Sequence, residues 1–100
     1  MWLIRTVPMT KAIKLIIQGR VQGVGYRRWF QQQALALQLN GYVRNLATGE
    51  VEAVIIGLQA ALQEMVERSY QGPKHAQVLN IIQSVSSIEQ PFIRFEILRS

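Results

Sequence analysis

The hydrophobic period of this chain switches at short intervals between 2 and 3.6, and the order of those switches constrains the fold more than any other feature. A β-branched run from Ala12 to Gln18, with Ile13, Leu15, Ile16 and Ile17, reads as a strand closed by Gly19. Beyond a loop from Gly19 to Gly25, the residues Tyr26, Phe30, Ala34 and Leu37 recur at helical spacing among Gln31, Gln32, Gln33 and Gln38. Asn40 and Gly41, which both tolerate left-handed backbone, are the expected stop of that helix. Tyr42 to Leu46 and Val51 to Ile56, joined by Ala47, Thr48, Gly49 and Glu50, predict an antiparallel hairpin. Leu58, Ala61, Leu62, Met65, Val66 and Ser69 then mark a second amphipathic helix that ends at Gly72 and Pro73. A strand from about Gln77 to Ser84 leads through a polar connection (Ser86, Ser87, Glu89, Pro91) to a last strand, where Ile93, Phe95 and Ile97 alternate with Arg94 and Glu96.

Two helices of this length can cover one face of a sheet and no more. The economical packing is an α+β two-layer sandwich of the split βαβ, ferredoxin-like type. Its sheet is expected to be largely antiparallel, with both helices on one face and an extra C-terminal edge strand. One hundred residues, about half of them apolar, suffice for a single core without staples. Residues 12–100 are therefore expected to form one domain. Residues 1–11 carry no periodicity and read as an N-terminal extension, open to disorder, that the fold can dispense with.

The net charge of +5 is unevenly spread. No acidic residue precedes Glu50, whereas Arg5, Lys11, Lys14, Arg20, Arg27, Arg28 and Arg44 all do, and the chain contains no aspartate. Such a field concentrates negative ligands, whether phosphorylated metabolites, nucleic acid or an acidic membrane face. Cysteine is absent, which fits a reducing compartment, and the apolar Trp2, Leu3 and Ile4 are interrupted by Arg5, far short of a signal-peptide core or a membrane span. A cytoplasmic location is the corresponding expectation.

The segment Gly19-Arg20-Val21-Gln22-Gly23-Val24-Gly25-Tyr26-Arg27 joins the first strand to the first helix. Its glycines allow positive φ, so successive N–H groups can turn inward as a concave nest for an anion, backed by the unpaired N–H groups of the helix start. The same pattern also describes a plain tight turn. It is neither a dinucleotide fingerprint, which needs a glycine where Arg28 stands, nor a P-loop, which needs a Lys-Ser or Lys-Thr pair. Arg27 in the first helical turn opposes the helix dipole, a penalty that a bound phosphate would remove while accepting a bidentate contact. Asn45 before the hairpin reads, on its own, as a turn former.

Together these segments resemble the acylphosphatase family. Gly19 through Arg27 is similar to one family signature. Gly41-Tyr42-Val43-Arg44-Asn45, followed by Gly49-Glu50-Val51-Glu52, is similar to the other. Weaker similarity runs through Gly72-Pro73 and Ala76-Gln77-Val78 to Phe95-Glu96-Ile97, so the resemblance spans residue 12 to the end. It departs at Gly25, Thr48 and Leu58. The resemblance implies hydrolysis of acyl phosphates without a metal, a cofactor or a covalent phosphoenzyme. It implies that Arg27 binds the phosphoryl group with N–H groups of the loop Gly19, Arg20, Val21, Gln22, Gly23, Val24 and Gly25, and that Asn45 positions the attacking water.

The residue inventory narrows the chemistry in the same direction. Without cysteine or aspartate, the usual phosphocysteine and phosphoaspartate routes are closed, and the one histidine, His75, is expected in an exposed loop far from the motif. No carboxylate occurs in the front half to hold a hard cation. Positioning and charge stabilisation remain, and they suit an acyl phosphate, whose carboxylate departs without a general acid. Trp29, Phe30 and Tyr26 are expected to pack, and Arg28 and Arg44 to be solvated charges or to steer substrate. An RNA-binding reading fares poorly, since the central strands Ala12 to Gln18 and Val51 to Ile56 contain no aromatic on which bases could stack. The expected partner is a small acyl phosphate, with no nucleic acid or membrane, and the chain is expected to be a monomer. The alternative is a catalytically silent acylphosphatase-like domain serving binding or regulation.

Overall fold

The computed structural model of the chain describes residues 10–87 and 92–99. Their elements run β1 (Lys11–Arg20), α1 (Tyr26–Ala36), β2 (Asn40–Asn45), β3 (Val51–Gly57), α2 (Gln59–Gln71), β4 (Gln77–Val85) and β5 (Phe95–Ile97). The sheet order is β4-β1-β3-β2-β5. All pairs are antiparallel except β2 with β5, where Gly41, Tyr42 and Val43 lie beside Phe95, Glu96 and Ile97 in parallel. Both helices pack on this five-strand sheet, as the two amphipathic periods predicted, and β5 forms the extra edge.

Strand alternation sorts the residues into two faces. Leu15 and Ile17 of β1, Val43 of β2, Val51, Ala53 and Ile55 of β3, Ile81 of β4 and Phe95 of β5 are buried in one core with Tyr26, Phe30 and Ala34 of α1 and Leu62 and Met65 of α2. The opposite face mixes Ala12, Ile16, Val54, Ile56 and Ile82 with a polar cluster centred on Glu52, which is only 5% exposed. Arg44 Nε donates to its Oε1 at 2.8 Å, Tyr42 Oη to the same oxygen at 2.9 Å, and Lys14 Nζ lies 3.3 Å from Oε2. Burial pushes the Glu52 carboxyl up, but the hydrogen bonds from Arg44, Tyr42 and Lys14 outweigh it and hold it below the usual carboxylate range. Burial, then the bond to Glu52, pushes Tyr42 up to about 12.

Several boundaries differ from the sequence expectation. The first helix is not stopped by Asn40 and Gly41. It ends at Ala36 in a Schellman motif, with Gln38 in the left-handed region at φ 59°, Gln38 N–H on Leu35 C=O (3.0 Å) and Leu39 N–H on Ala34 C=O (2.9 Å). The buried Leu39 seals that turn, and Asn40 and Gly41 already belong to β2. Gly41, at φ 130°, is demanded by the sheet, because a Cβ there would run into the Val54 carbonyl oxygen. β1 does not close at Gly19 but continues through Arg20 after a register shift at Gln18/Gly19 against β4. Lys11, expected in the extension, pairs with Gly57. Leu58 is the half-exposed N-cap of α2 rather than a core position. Ile93 precedes β5 and is exposed. Residues 1–9 of the expected extension, and Glu89 and Pro91 of the expected connection, lie outside the described residues.

Candidate active site

A cleft of about 260 Å³ opens where the β1–α1 loop meets the end of β2, lined by Val21, Gln22, Gly23, Gly25, Tyr26, Arg27, Arg28, Asn45, Ile97 and Arg99. The local sequence explains its shape. Gly23 and Gly25 take φ 74° and 78° with open space where a Cβ would stand, so it is backbone conformation that calls for glycine at these two positions. The buried Val21 pins the loop's start to the core, and Val24 packs against the same core from the loop's other side. Gly25 is also the N-cap of α1, and no side chain among the described residues caps that end, which leaves the first-turn N–H groups without a side-chain acceptor there. The turn holds no acidic residue and two arginines, Arg27 and Arg28. This is a helix end short of negative charge, and an anion would complete it.

Asn45 reaches the cleft because of strand alternation. Tyr42 and Arg44 project to the open face with Glu52, whereas Gly41, Val43 and Asn45 face the helices. Asn45 Oδ1 is buried and has no hydrogen-bond partner among the described residues. An orphan acceptor of this kind is uncommon in a folded domain and costs about 1–3 kcal/mol unless a ligand or water supplies a donor.

The loop is fastened to the hairpin by the Gln22 side chain, whose Nε2 donates to Leu46 C=O and to Glu50 C=O, each at 2.8 Å. The hairpin is closed by Leu46 N–H on Glu50 C=O at 2.8 Å. Gln18 Nε2 donates to Glu50 Oε2 at 2.6 Å and Thr48 Oγ1 to Glu50 Oε1 at 2.8 Å, and these bonds hold the Glu50 carboxyl below its usual range. On the other side, Tyr26 Oη donates to Ser69 C=O at 2.7 Å, tying the start of α1 to α2. Burial pushes this phenol far above its usual range, so it stays a neutral anchor.

A family model described as acylphosphatase matches residues 13–97 of the chain. The chain belongs to the acylphosphatase family. It is similar to a protein of Azorhizobium caulinodans named acylphosphatase, 46% identical over 78 residues, covering 78% of this chain and 84% of that one. A second acylphosphatase, of Rhodopseudomonas palustris, is 41% identical over 90 residues, covering 85% of this chain and 91% of its own. Among solved structures, the crystal structure of acylphosphatase from Bacillus subtilis matches with a TM-score of 0.84 at 36% identity, covering 90% of this chain and 99% of that one.

For a member of this family, the positions of the expected site residues can be stated one by one. Arg27, Asn45, Val21, Gln22, Gly23 and Gly25 line one cleft. Gly19 and Arg20 belong to β1, and neither they nor Val24 line it. Arg44 lies on the far face of the sheet, bound to Glu52, and is neither a steering charge at the cleft nor a free surface cation. Tyr26 is buried beside the loop as expected, and His75 is exposed. Sequence reading missed Ile97 and Arg99, which join the cleft only because β5 pairs with β2, and it left Arg28 undecided. No local signal marks Ile97 or Arg99. No helix among the described residues is long and apolar enough to cross a membrane.

Proposed function

We infer that the cleft hydrolyses the carboxyl–phosphate bond of acyl phosphates to a carboxylate and inorganic phosphate, with the phosphoryl group seated among the loop N–H groups, the start of α1 and the Arg27 guanidinium. The observation that carries this reading is the meeting of Arg27 and the orphan Asn45 Oδ1 in one cleft. Arg27 and the N–H donors surround the equatorial oxygens, where charge accumulates in a loose transition state. Asn45 Oδ1 accepts a hydrogen bond from a water and aims its oxygen at phosphorus, and a neutral amide does so without repelling the phosphate. The water oxygen forms the new P–O bond as the bond from phosphorus to the acyl oxygen breaks. That electron pair leaves on the carboxylate, and the water's proton passes to a phosphoryl oxygen. No protein nucleophile and no metal enters these steps. We read the chain as a monomer acting in the cytoplasm, in keeping with a chain free of cysteine.

Purified protein is expected to hydrolyse benzoyl phosphate in the presence of a metal chelator, with inorganic phosphate as a competitive inhibitor. In labelled water, the heavy oxygen is expected in the phosphate and not in the benzoate. Activity lost to chelator, or label found in the benzoate, would contradict this mechanism. No hydrolysis at all would favour a silent binding domain.

A further inference from the structure

We propose that Arg28 and Arg99 form a second cationic station in the cleft, which selects acyl phosphates whose acyl part carries its own negative group, a carboxylate or a second phosphate. The proposal rests on the reading of this cleft as an acyl phosphate site and names the substrate class within it. Among the described residues, three arginines line the cleft and no acidic residue does. Among the described residues no carboxylate forms an ion pair with Arg27, Arg28 or Arg99, while Glu50, Glu52 and Glu64 are engaged elsewhere, by Gln18 and Thr48, by Arg44 and Lys14, and by Arg68. The cleft is thus a local excess of positive charge in which Arg28 also opposes the α1 dipole. One phosphoryl group meets the loop N–H groups and Arg27, which leaves two cations unanswered.

The geometry separates the two stations. Arg27 and Arg28 are adjacent in the first turn of a helix, where successive side chains diverge by about 100° around the axis. Arg99 comes from a different element, two residues past Ile97 at the end of β5. A phosphoryl group fills only part of 260 Å³, and the rest is bounded by the apolar Ile97 side chain and the exposed Arg28 and Arg99. An acyl group of a few carbons laid against Ile97, ending in an anion, satisfies that lining. A neutral acyl group leaves the two charges unpaired.

The test compares kcat/KM for benzoyl phosphate, 4-carboxybenzoyl phosphate and 4-phosphonobenzoyl phosphate at low ionic strength, where exposed charges are least screened. The para position keeps the added anion from attacking the anhydride itself. Wild type is expected to favour at least one charged substrate over benzoyl phosphate by about tenfold, the order expected of two partly screened ion pairs. The favoured substrate identifies carboxylate or phosphate as the preferred group. The double variant Arg28→Gln/Arg99→Gln is expected to bring that ratio near one, and Arg28→Lys/Arg99→Lys to keep most of it. Because each ratio is taken on one preparation, a change in the folded fraction cancels. A wild-type ratio of one or less for both charged substrates, or a ratio that the glutamine pair leaves unchanged, overturns the proposal. Failure to turn over benzoyl phosphate itself would instead overturn the reading of the cleft as an acyl phosphate site, and the proposal with it.

Discussion

Asn45 Oδ1 is buried without a donor among the described residues, and Arg27 and Arg28 sit at the helix end that disfavours cations, so two separate features of the cleft oppose folding until something binds. Sites that pay in stability for function leave a recognisable mark when they are removed. Asn45→Ala deletes the orphan acceptor, and its melting temperature is expected to match or exceed that of wild type. Its turnover should fall by about 10²–10³, by analogy with the loss of one preorganised group. Inorganic phosphate should still compete with nearly unchanged affinity. Arg27→Ala is expected to weaken phosphate competition and turnover together, so steady-state kinetics on the two variants separates holding the phosphoryl group from aiming the water. An Arg27→Ala protein with wild-type phosphate affinity would remove Arg27 from the role assigned to it.

At the scale of the elements, the cleft is a junction of three pieces whose register matters more than their composition: the β1–α1 loop, the end of β2 and the end of β5. Gly41 tests that dependence. It sits four residues before Asn45 in β2, and a side chain there meets the Val54 carbonyl oxygen across the ladder while its φ of 130° suits glycine alone. Gly41→Ala is expected to cost on the order of 2 kcal/mol or more in denaturant unfolding and to lower turnover among the molecules that remain folded. The order of strands and helices was legible in the residues because period-2 and period-3.6 runs alternate cleanly and glycines fall between them. Asn40-Gly41 misled because a pair that commonly ends a helix can equally open a strand where two backbones approach closely. Arg27 and the glycines at 23 and 25 were legible as one local segment. The Gln22 clamp onto Leu46 and Glu50, and the wall from Ile97 and Arg99, were not, since both depend on partners far along the chain that no window of neighbouring residues contains.

For the molecule as a whole, the polar cluster on the face of the sheet away from the helices is one carboxylate shared among three strands, with Lys14 on β1, Arg44 and Tyr42 on β2 and Glu52 itself on β3. Because native bonding holds Glu52 below its ordinary range, the unfolded chain takes up a proton there first as the medium is acidified. The contribution of Glu52 is therefore complete above about pH 5 and is lost as pH falls through the folded value. Unfolding measured from pH 7 to pH 3 is expected to show a declining acid limb that flattens in Glu52→Gln, which should also be less stable at pH 7 by about 1–2 kcal/mol. The discount from a fully buried pair reflects the 39% and 42% exposure of the Arg44 and Lys14 side chains. An unchanged acid limb in that variant would show that the face is decorative. The placement of β5 beside β2 has a consequence in time. The cradle, Arg27 and Asn45 leave the ribosome well before Arg99, and at about 5–20 residues per second the interval is roughly 3–10 s. A nascent chain thus carries the loop, Arg27 and Asn45 while the strand end that supplies Ile97 and Arg99 to the same cleft is still untranslated.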